Sequence, residues 1–320
     1  MRRIMTLLLA LLLLLMSFTG CAGREKYKKE PNTGLYAESY PYYIKTASAR
    51  WYLSTDDIEL LGEEAYYDGL YAVLEDAELD FADAREALKG YTFSEIPPID
   101  IFTDFCGKAG IKEEKGLGAY YNAVSNFIKL FVGWDIVCAS LLHEYVHYLT
   151  CHCADPASQF GFWTEGVAEY ISLFECKNRL SRSVNMGIDL SALEPVIIEQ
   201  TWNEEDQCLE PKLLYLGSAA IFTRGYAIGT TYYAVKNRWI ERTAQMQEKL
   251  NAEDLSLYEA TSMYAYLVET YGKGTVFKNW NLDTENMETV YGKPFSDIYR
   301  EWSVWNEEQC KLLGINIDIQ

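Results

Sequence analysis

Residues 136–149 read IVCASLLHEYVHYL. A stretch that is apolar on nearly every side of a helix predicts a buried helix, which we expect to run from an N-cap at Asp135 to about Thr150. His143, Glu144 and His147 interrupt this apolar stretch near its end. Ionisable groups in an apolar environment are costly unless they are paired or bind a metal. The stretch therefore predicts a buried helix built around a polar site.

The spacing of the two histidines favours a metal site over two core histidines. Residues four apart in a helix share one face, so the rings of His143 and His147 can reach one Zn²⁺. Glu144 lies beside them, where a carboxylate can hold a water molecule and take its proton. The chain has only three histidines, and two of them are in this pattern. We therefore predict that His143 and His147 are metal ligands.

A second acidic pattern follows at residues 163–170, which read WTEGVAEY. Seventeen residues separate His147 from Glu165, enough for a turn and a second helix, predicted from about Thr164 to Cys176. Catalytic zinc usually takes three protein ligands and one water. Glu165, in the first turn, is the candidate third ligand, and Glu169 could accept the remaining N–H of a ligand histidine. The alternative is a solvated acidic helix face.

Residues 143–147 and 163–170 together resemble the gluzincin metallopeptidases, which include thermolysin-like and aminopeptidase N-like enzymes. The resemblance extends over roughly residues 96–305 and is strongest around the histidines. It implies one Zn²⁺, held by the histidines and by the glutamate that precedes a glycine, here Glu165. It also implies an α+β, zincin-like fold. In that fold a small N-terminal mixed sheet and the zinc helix precede a mainly helical C-terminal lobe.

The same resemblance implies a tyrosine or histidine that stabilises the oxyanion of the reaction. Tyr258 matches the expected helix pattern best, and Tyr215 and Tyr226 are alternatives. The aminopeptidase N-like enzymes carry a glutamate on the strand before the zinc helix, whereas residues 118–122 read GAYYN and lack it. An endopeptidase-like specificity is therefore expected rather than aminopeptidase activity.

The N-terminus has the pattern of an export signal. Arg2 and Arg3 precede the apolar run Leu7–Met16, which is too short for a membrane span. The run leads to Cys21 after a small residue, and this resembles a bacterial lipobox. The resemblance implies that residues 1–20 are removed and that Cys21 carries the lipid that anchors the protein to the extracytoplasmic face of the membrane. An ordinary secretory signal is the alternative.

Composition excludes some partners and leaves others open. The formal net charge of −19 argues against nucleic acid and against electrostatic binding to an anionic membrane surface. Seven of the eight cysteines remain beside Cys21, so disulfides are possible after export but at least one thiol stays unpaired. Cys151-His152-Cys153 looks like a metal-binding tract, but its spacing is tighter than structural zinc sites use.

The remaining chain predicts two lobes of one catalytic unit. Residues 21–45 resemble a tether, residues 46–155 form the N-terminal lobe and residues 156–313 the C-terminal lobe. The predicted elements are a helix capped near Ser54 that runs from Ile58 to about Phe81, a strand at Ile99–Thr103, a hairpin within Ala119–Val132 with its turn at Asn122–Asn126, and helices at Tyr215–Trp239 and Leu257–Tyr271.

Taken together, these patterns predict a zinc-dependent peptidase that hydrolyses peptide bonds of a peptide or protein substrate with a metal-activated water at the cell surface. Glu144 would be its catalytic base. Two alternatives stay open. One is a non-catalytic surface lipoprotein that retains the zincin fold, although a structural zinc site does not need Glu144. The other is a zinc hydrolase of a non-peptide amide such as cell-wall material.

Overall fold

The structure is a computed structural model of the chain. It describes residues 27–34, 36–92, 95–106, 118–131, 134–153, 161–175, 196–203, 208–215, 257–280, 286–312 and 316–317. The chain divides into two compact units, one formed by residues 1–81 and 95–148 and the other by residues 82–94 and 149–320. Each unit is described separately below.

A six-stranded mixed sheet organises the first unit. Its strands are β1 (Lys29–Pro31), β2 (Tyr42–Lys45), β3 (Ala49–Leu53), β4 (Ile99–Thr103), β5 (Ala119–Asn122) and β6 (Phe127–Leu130), in the order β1-β2-β3-β4-β6-β5. β4 pairs in parallel with both β3 and β6, and the other neighbours are antiparallel. The predicted strand at Ile99–Thr103 and the predicted hairpin are confirmed, and β5 forms one edge of the sheet.

The prediction that residues 21–45 form a tether is wrong in part, because β1 and β2 both lie within this range. β2 pairs with β3, so that Tyr43 lies opposite Tyr52 and Ile44 opposite Trp51. Ile44 is fully buried in the sheet. The hydrogen bonds that stabilise this strand come from its neighbours β1 and β3, and the local composition, rich in Lys, Glu and Tyr, does not indicate them.

Two helices connect β3 to β4. They are α1 (Thr55–Leu61) and α2 (Glu63–Ala87), and α1 begins where predicted because the side chain of Ser54 accepts the N–H of Asp57. The prediction of a single helix is wrong, since Gly62 adopts a φ of 83° and separates α1 from α2. Positive φ is readily available only to glycine, so Gly62 ends α1, and α2 starts at the next residue.

Helix α3 (Trp134–Thr150) is the helix predicted around His143 and His147. It starts one residue earlier than expected, so Asp135 lies in its first turn rather than at the N-cap. The ring of Tyr145 stacks on Phe81 of α2 with centroids 3.8 Å apart, and Tyr148 donates a hydrogen bond to the carbonyl of Pro97. Burial raises the pKa of Tyr148, so its hydroxyl stays protonated and keeps donating.

The second unit contains both helices and a sheet. Its further elements are α4 (Gly161–Tyr170), a π-helix (Ile171–Glu175), β7 (Val196–Asn203), β8 (Cys208–Tyr215), α5 (Leu257–Tyr271), α6 (Lys273–Lys278), α7 (Met287–Tyr291), α8 (Phe295–Leu312) and β9 (Asn316–Ile317). The three strands form an antiparallel sheet in the order β7-β8-β9. A mainly helical C-terminal lobe is therefore an incomplete description, and Tyr215 ends a strand rather than starting a helix.

A buried polar contact holds α5 against α8. Trp302 donates its indole N–H to Ser262 at 3.1 Å, and Ser262 in turn donates to the side chain of Asn306. All three side chains are fully buried. Helix α5 spans Leu257–Tyr271, as predicted, and is followed by Gly272, whose φ is 83°.

The mixed composition of both units confirms the α+β class. None of the helices within the described residues combines the length and the apolar character that a membrane span requires. The predicted helix within residues 216–239, the signal segment and Cys21 lie outside the described residues.

Candidate metal centre

Helix α3 brings the two predicted histidine ligands together. The Nε2 atoms of His143 and His147 are 2.9 Å apart, and the rings cross at 80°. Two nitrogens that bind one tetrahedral zinc at about 2.0–2.1 Å are separated by about 3.3 Å. His147 is 9% exposed and His143 is half-buried. The two ring nitrogens therefore lie close to the separation that a shared zinc ion requires.

Glu165 completes a group of three possible metal ligands. One donor atom from each of His143, His147 and Glu165 lies within 4.8 Å of the other two. Within the described residues no other set of three histidines, cysteines or acidic residues converges in this way. Two imidazole nitrogens and one carboxylate oxygen form a donor set typical of catalytic zinc. The residues therefore fit a zinc ion.

The contact of Glu144 is a feature that the sequence did not predict. Its Oε2 atom accepts the main-chain N–H of Tyr121 in β5 at 2.7 Å. This bond joins helix α3 to the edge strand of the same unit and fixes one carboxylate oxygen, in the length range of a charge-assisted bond. Because the donor is a main-chain group 23 positions away in sequence, no residue-type pattern could have indicated it.

The close approach of α4 to α5 depends on Gly166, which follows Glu165. A Cβ atom at this position would lie 2.8 Å from the Cβ of Ala260 and 2.9 Å from a ring carbon of Tyr264. Real Cβ atoms do not approach so closely, so any other residue would push the two helices apart. Gly166 thus allows α4, the helix that carries Glu165, to pack closely against α5. The sequence pattern contained this glycine but not its packing reason.

A π-helix follows α4 directly and is held by its last residue. Glu175 accepts the hydroxyl of Tyr170 at 3.2 Å and forms an ion pair with Lys273 of α6 at 2.7 Å. The ring of Tyr170 also stacks on Phe174 with centroids 5.1 Å apart. Short π-helical segments often occur at functional sites. Here the segment fixes the C-terminal end of the helix that bears Glu165.

Two details of the predicted site change. Helix α4 starts at Gly161 rather than near Thr164, so Glu165 lies in its second turn instead of its first. Glu169 follows one turn later and is half-buried. Its contact with a ligand histidine stays a prediction.

The predicted oxyanion residue is only partly described. Tyr258 is the second residue of α5, but its side chain and that of Tyr215 lie outside the described part of the chain, as does all of Tyr226. Nothing in the described residues therefore decides among the three tyrosines.

The Cys151-His152-Cys153 tract is not part of a three-residue metal group within the described residues. Cys153 is buried, and burial together with the nearby Cys151 raises the pKa of its thiol to about 12. A thiol binds zinc as a thiolate, which this environment disfavours.

No family model, no curated protein and no solved structure matches the chain.

Proposed function

We propose that the protein is a zinc-dependent peptidase of the gluzincin type that hydrolyses peptide bonds with an endopeptidase-like specificity. The observation that carries the proposal is the convergence of His143, His147 and Glu165, with Glu144 beside them on the same helix. A purely structural zinc site usually closes with four protein ligands and needs no adjacent carboxylate. Three ligands and a neighbouring glutamate favour an open, catalytic site.

The proposed chemistry assigns one role to each group. When bound, zinc supplies Lewis acidity toward a peptide carbonyl and toward water. Glu144 takes the proton of the attacking water on its carboxylate and passes it to the nitrogen of the leaving amine. The Oε2 atom of Glu144 is held by Tyr121, and the described residues offer its other oxygen, Oε1, no hydrogen-bond partner. Oε1 is the atom that we expect to take the proton.

The proposed substrate is an extended peptide that adds to the edge of the first unit's sheet. β5 is an edge strand, and Glu144 contacts it directly. An edge strand offers unpaired main-chain groups to a peptide in extended conformation, which gives binding without strict side-chain selection. Residues 119–122 read AYYN and contain no carboxylate to hold a free amino terminus. This supports cleavage within a chain rather than at its end.

The test of the proposed activity is hydrolysis of a mixed peptide library by the purified protein, with intact cell wall as a second substrate. We expect cleavage of internal peptide bonds that stops when a chelator removes the metal and returns when zinc is added. Cleavage of cell wall alone would favour the non-peptide amide hydrolase. No cleavage of either substrate by zinc-loaded protein would favour the non-catalytic lipoprotein.

We also propose that Cys21 carries a lipid that anchors the protein to the extracytoplasmic face of the membrane. The basic start, the short apolar run and the cysteine support this. In a bacterial host, Cys21→Ala is expected to abolish labelling by a fatty-acid probe and to leave the signal segment uncleaved. Cys106→Ala is a matched control, because it removes a cysteine of the folded domain and should leave labelling intact. Continued labelling of Cys21→Ala would contradict the lipid anchor.

A further inference from the structure

We propose that the main-chain N–H of Tyr121 is a positioning group for Glu144, so that the two outward-facing amides of β5 have different roles. This inference rests on the proposed peptidase function. The Tyr121 amide holds the carboxylate of Glu144, and the Ala119 amide is left for the main chain of the substrate. The edge strand therefore serves both the base and the substrate, at adjacent outward positions.

The pairing of β5 with β6 decides which amides face outward. Phe131 donates its N–H to the carbonyl of Gly118 at 3.0 Å, so this pair is hydrogen-bonded across the two strands. Antiparallel strands alternate between hydrogen-bonded and non-hydrogen-bonded pairs. Tyr120 and Asn122 therefore direct their main-chain groups toward β6. Ala119 and Tyr121, opposite Leu130 and Ile128, direct theirs away from it.

The hydrogen bond to Glu144 agrees with this alternation. Tyr121 is one of the two outward positions, and its N–H lies 2.7 Å from Oε2 of Glu144. The strand itself is well fixed at this residue. The hydroxyl of Tyr121 donates to the side chain of Asn126 in the hairpin turn at 3.1 Å. The ring of Tyr121 packs edge-on against Tyr148 of α3, with the ring centroids 6.0 Å apart. A donor on so constrained a strand can hold the carboxylate in one orientation.

The consequence for the substrate is a defined starting position on the edge. An added strand hydrogen-bonds to every second residue of its neighbour, and here the choices within β5 are Ala119 and Tyr121. Because Glu144 occupies the N–H of Tyr121, the amide of Ala119 is the one within β5 that is left to a peptide carbonyl.

The first test compares two substitutions at one position in the full-length protein. Tyr121→Pro and Tyr121→Ala both remove the ring, but only proline removes the N–H, and an edge strand tolerates proline where the N–H faces outward. We expect kcat of the proline variant to be about 10²-fold below that of the alanine variant, because a misplaced catalytic group costs about this much. KM and zinc content should be similar. Equal kcat values would overturn the proposal.

Ala119→Pro is the matched control on the same strand. It removes the other outward N–H without touching Glu144. We expect KM to rise about fivefold, as loss of one hydrogen bond predicts, with kcat little changed. This split between kcat at position 121 and KM at position 119 would not arise from a general loosening of the strand. A fall in kcat at position 119 as large as that at position 121 would contradict the division of roles.

A second measurement needs neither activity nor a folded proline variant. Hydrogen exchange of the full-length protein, read by mass spectrometry at single residues, reports the Tyr121 amide directly. In Glu144→Ala we expect this amide to exchange at least about tenfold faster than in the parent. The Tyr120 amide, which faces β6, should not change. Equal exchange at Tyr121 would overturn the proposal whether or not the protein cleaves peptides, so the two proposals can fail separately.

Discussion

Glu144→Gln is expected to reduce peptide hydrolysis on the order of 10³-fold while leaving zinc content unchanged, because general-base catalysis contributes about 10²–10⁴-fold. The amide of glutamine is nearly the same shape as the carboxylate, and its oxygen can still accept the N–H of Tyr121. It cannot, however, take a proton from water. Glu144 is also not among the three converging residues that could hold a metal ion. The substitution therefore separates catalysis from metal binding.

The measurement is the rate of cleavage of a library peptide beside the zinc content of the same preparation. Glu86→Gln provides a matched control, since it makes the same chemical change at an exposed side chain of α2 that forms an ion pair with Lys89. The control should keep the parent rate. If Glu144→Gln cleaves at the parent rate, the assignment of the base is wrong. If it loses zinc as well as activity, Glu144 contributes to the metal site.

The second large effect concerns zinc affinity. His147→Ala and Glu165→Ala each remove one of the three proposed protein ligands. We expect the zinc affinity to fall at least about 10³-fold, because loss of a supporting contact alone costs about 10–100-fold. Competition with a chelator of known zinc affinity measures the change. Circular dichroism of each variant shows whether the fold is retained.

Glu169→Ala distinguishes between the two glutamates of α4. They are one turn apart on the same helix face, and the resemblance to the gluzincins favours Glu165 as the ligand. We expect Glu169→Ala to weaken zinc binding only about 10–100-fold, as a contact to a ligand histidine would. The opposite ranking, with the larger loss at Glu169, would reverse the assignment.

Local patterns predicted the elements on which the candidate site depends. The apolar stretch around His143, the capping group at Ser54 and the hairpin at Ala119–Leu130 depend on neighbours in sequence, and all three are present. The spacing between His147 and Glu165 predicted their convergence without any knowledge of the path between them. These features have strong local signals because periodicity and turn chemistry act over a few residues.

What the sequence did not predict depends on contacts between elements. β1 pairs with β2 and β2 pairs with β3, whereas the composition of β1 and β2 suggested a tether. The start of α4 was placed three residues too late, because residues 161–163 carry no capping pattern that marks a helix start. The bond between Tyr121 and Glu144 joins a main-chain group to a side chain, and main-chain groups carry no residue-type signal.

The central claim is that three side chains hold one catalytic zinc, and the most direct test is the metal content of the purified protein by elemental mass spectrometry. We predict about one zinc per chain in the parent and little in Glu165→Ala prepared in the same way. Absence of zinc from the parent, even after zinc is added and excess is removed, would contradict the account and leave the non-catalytic lipoprotein as the better description.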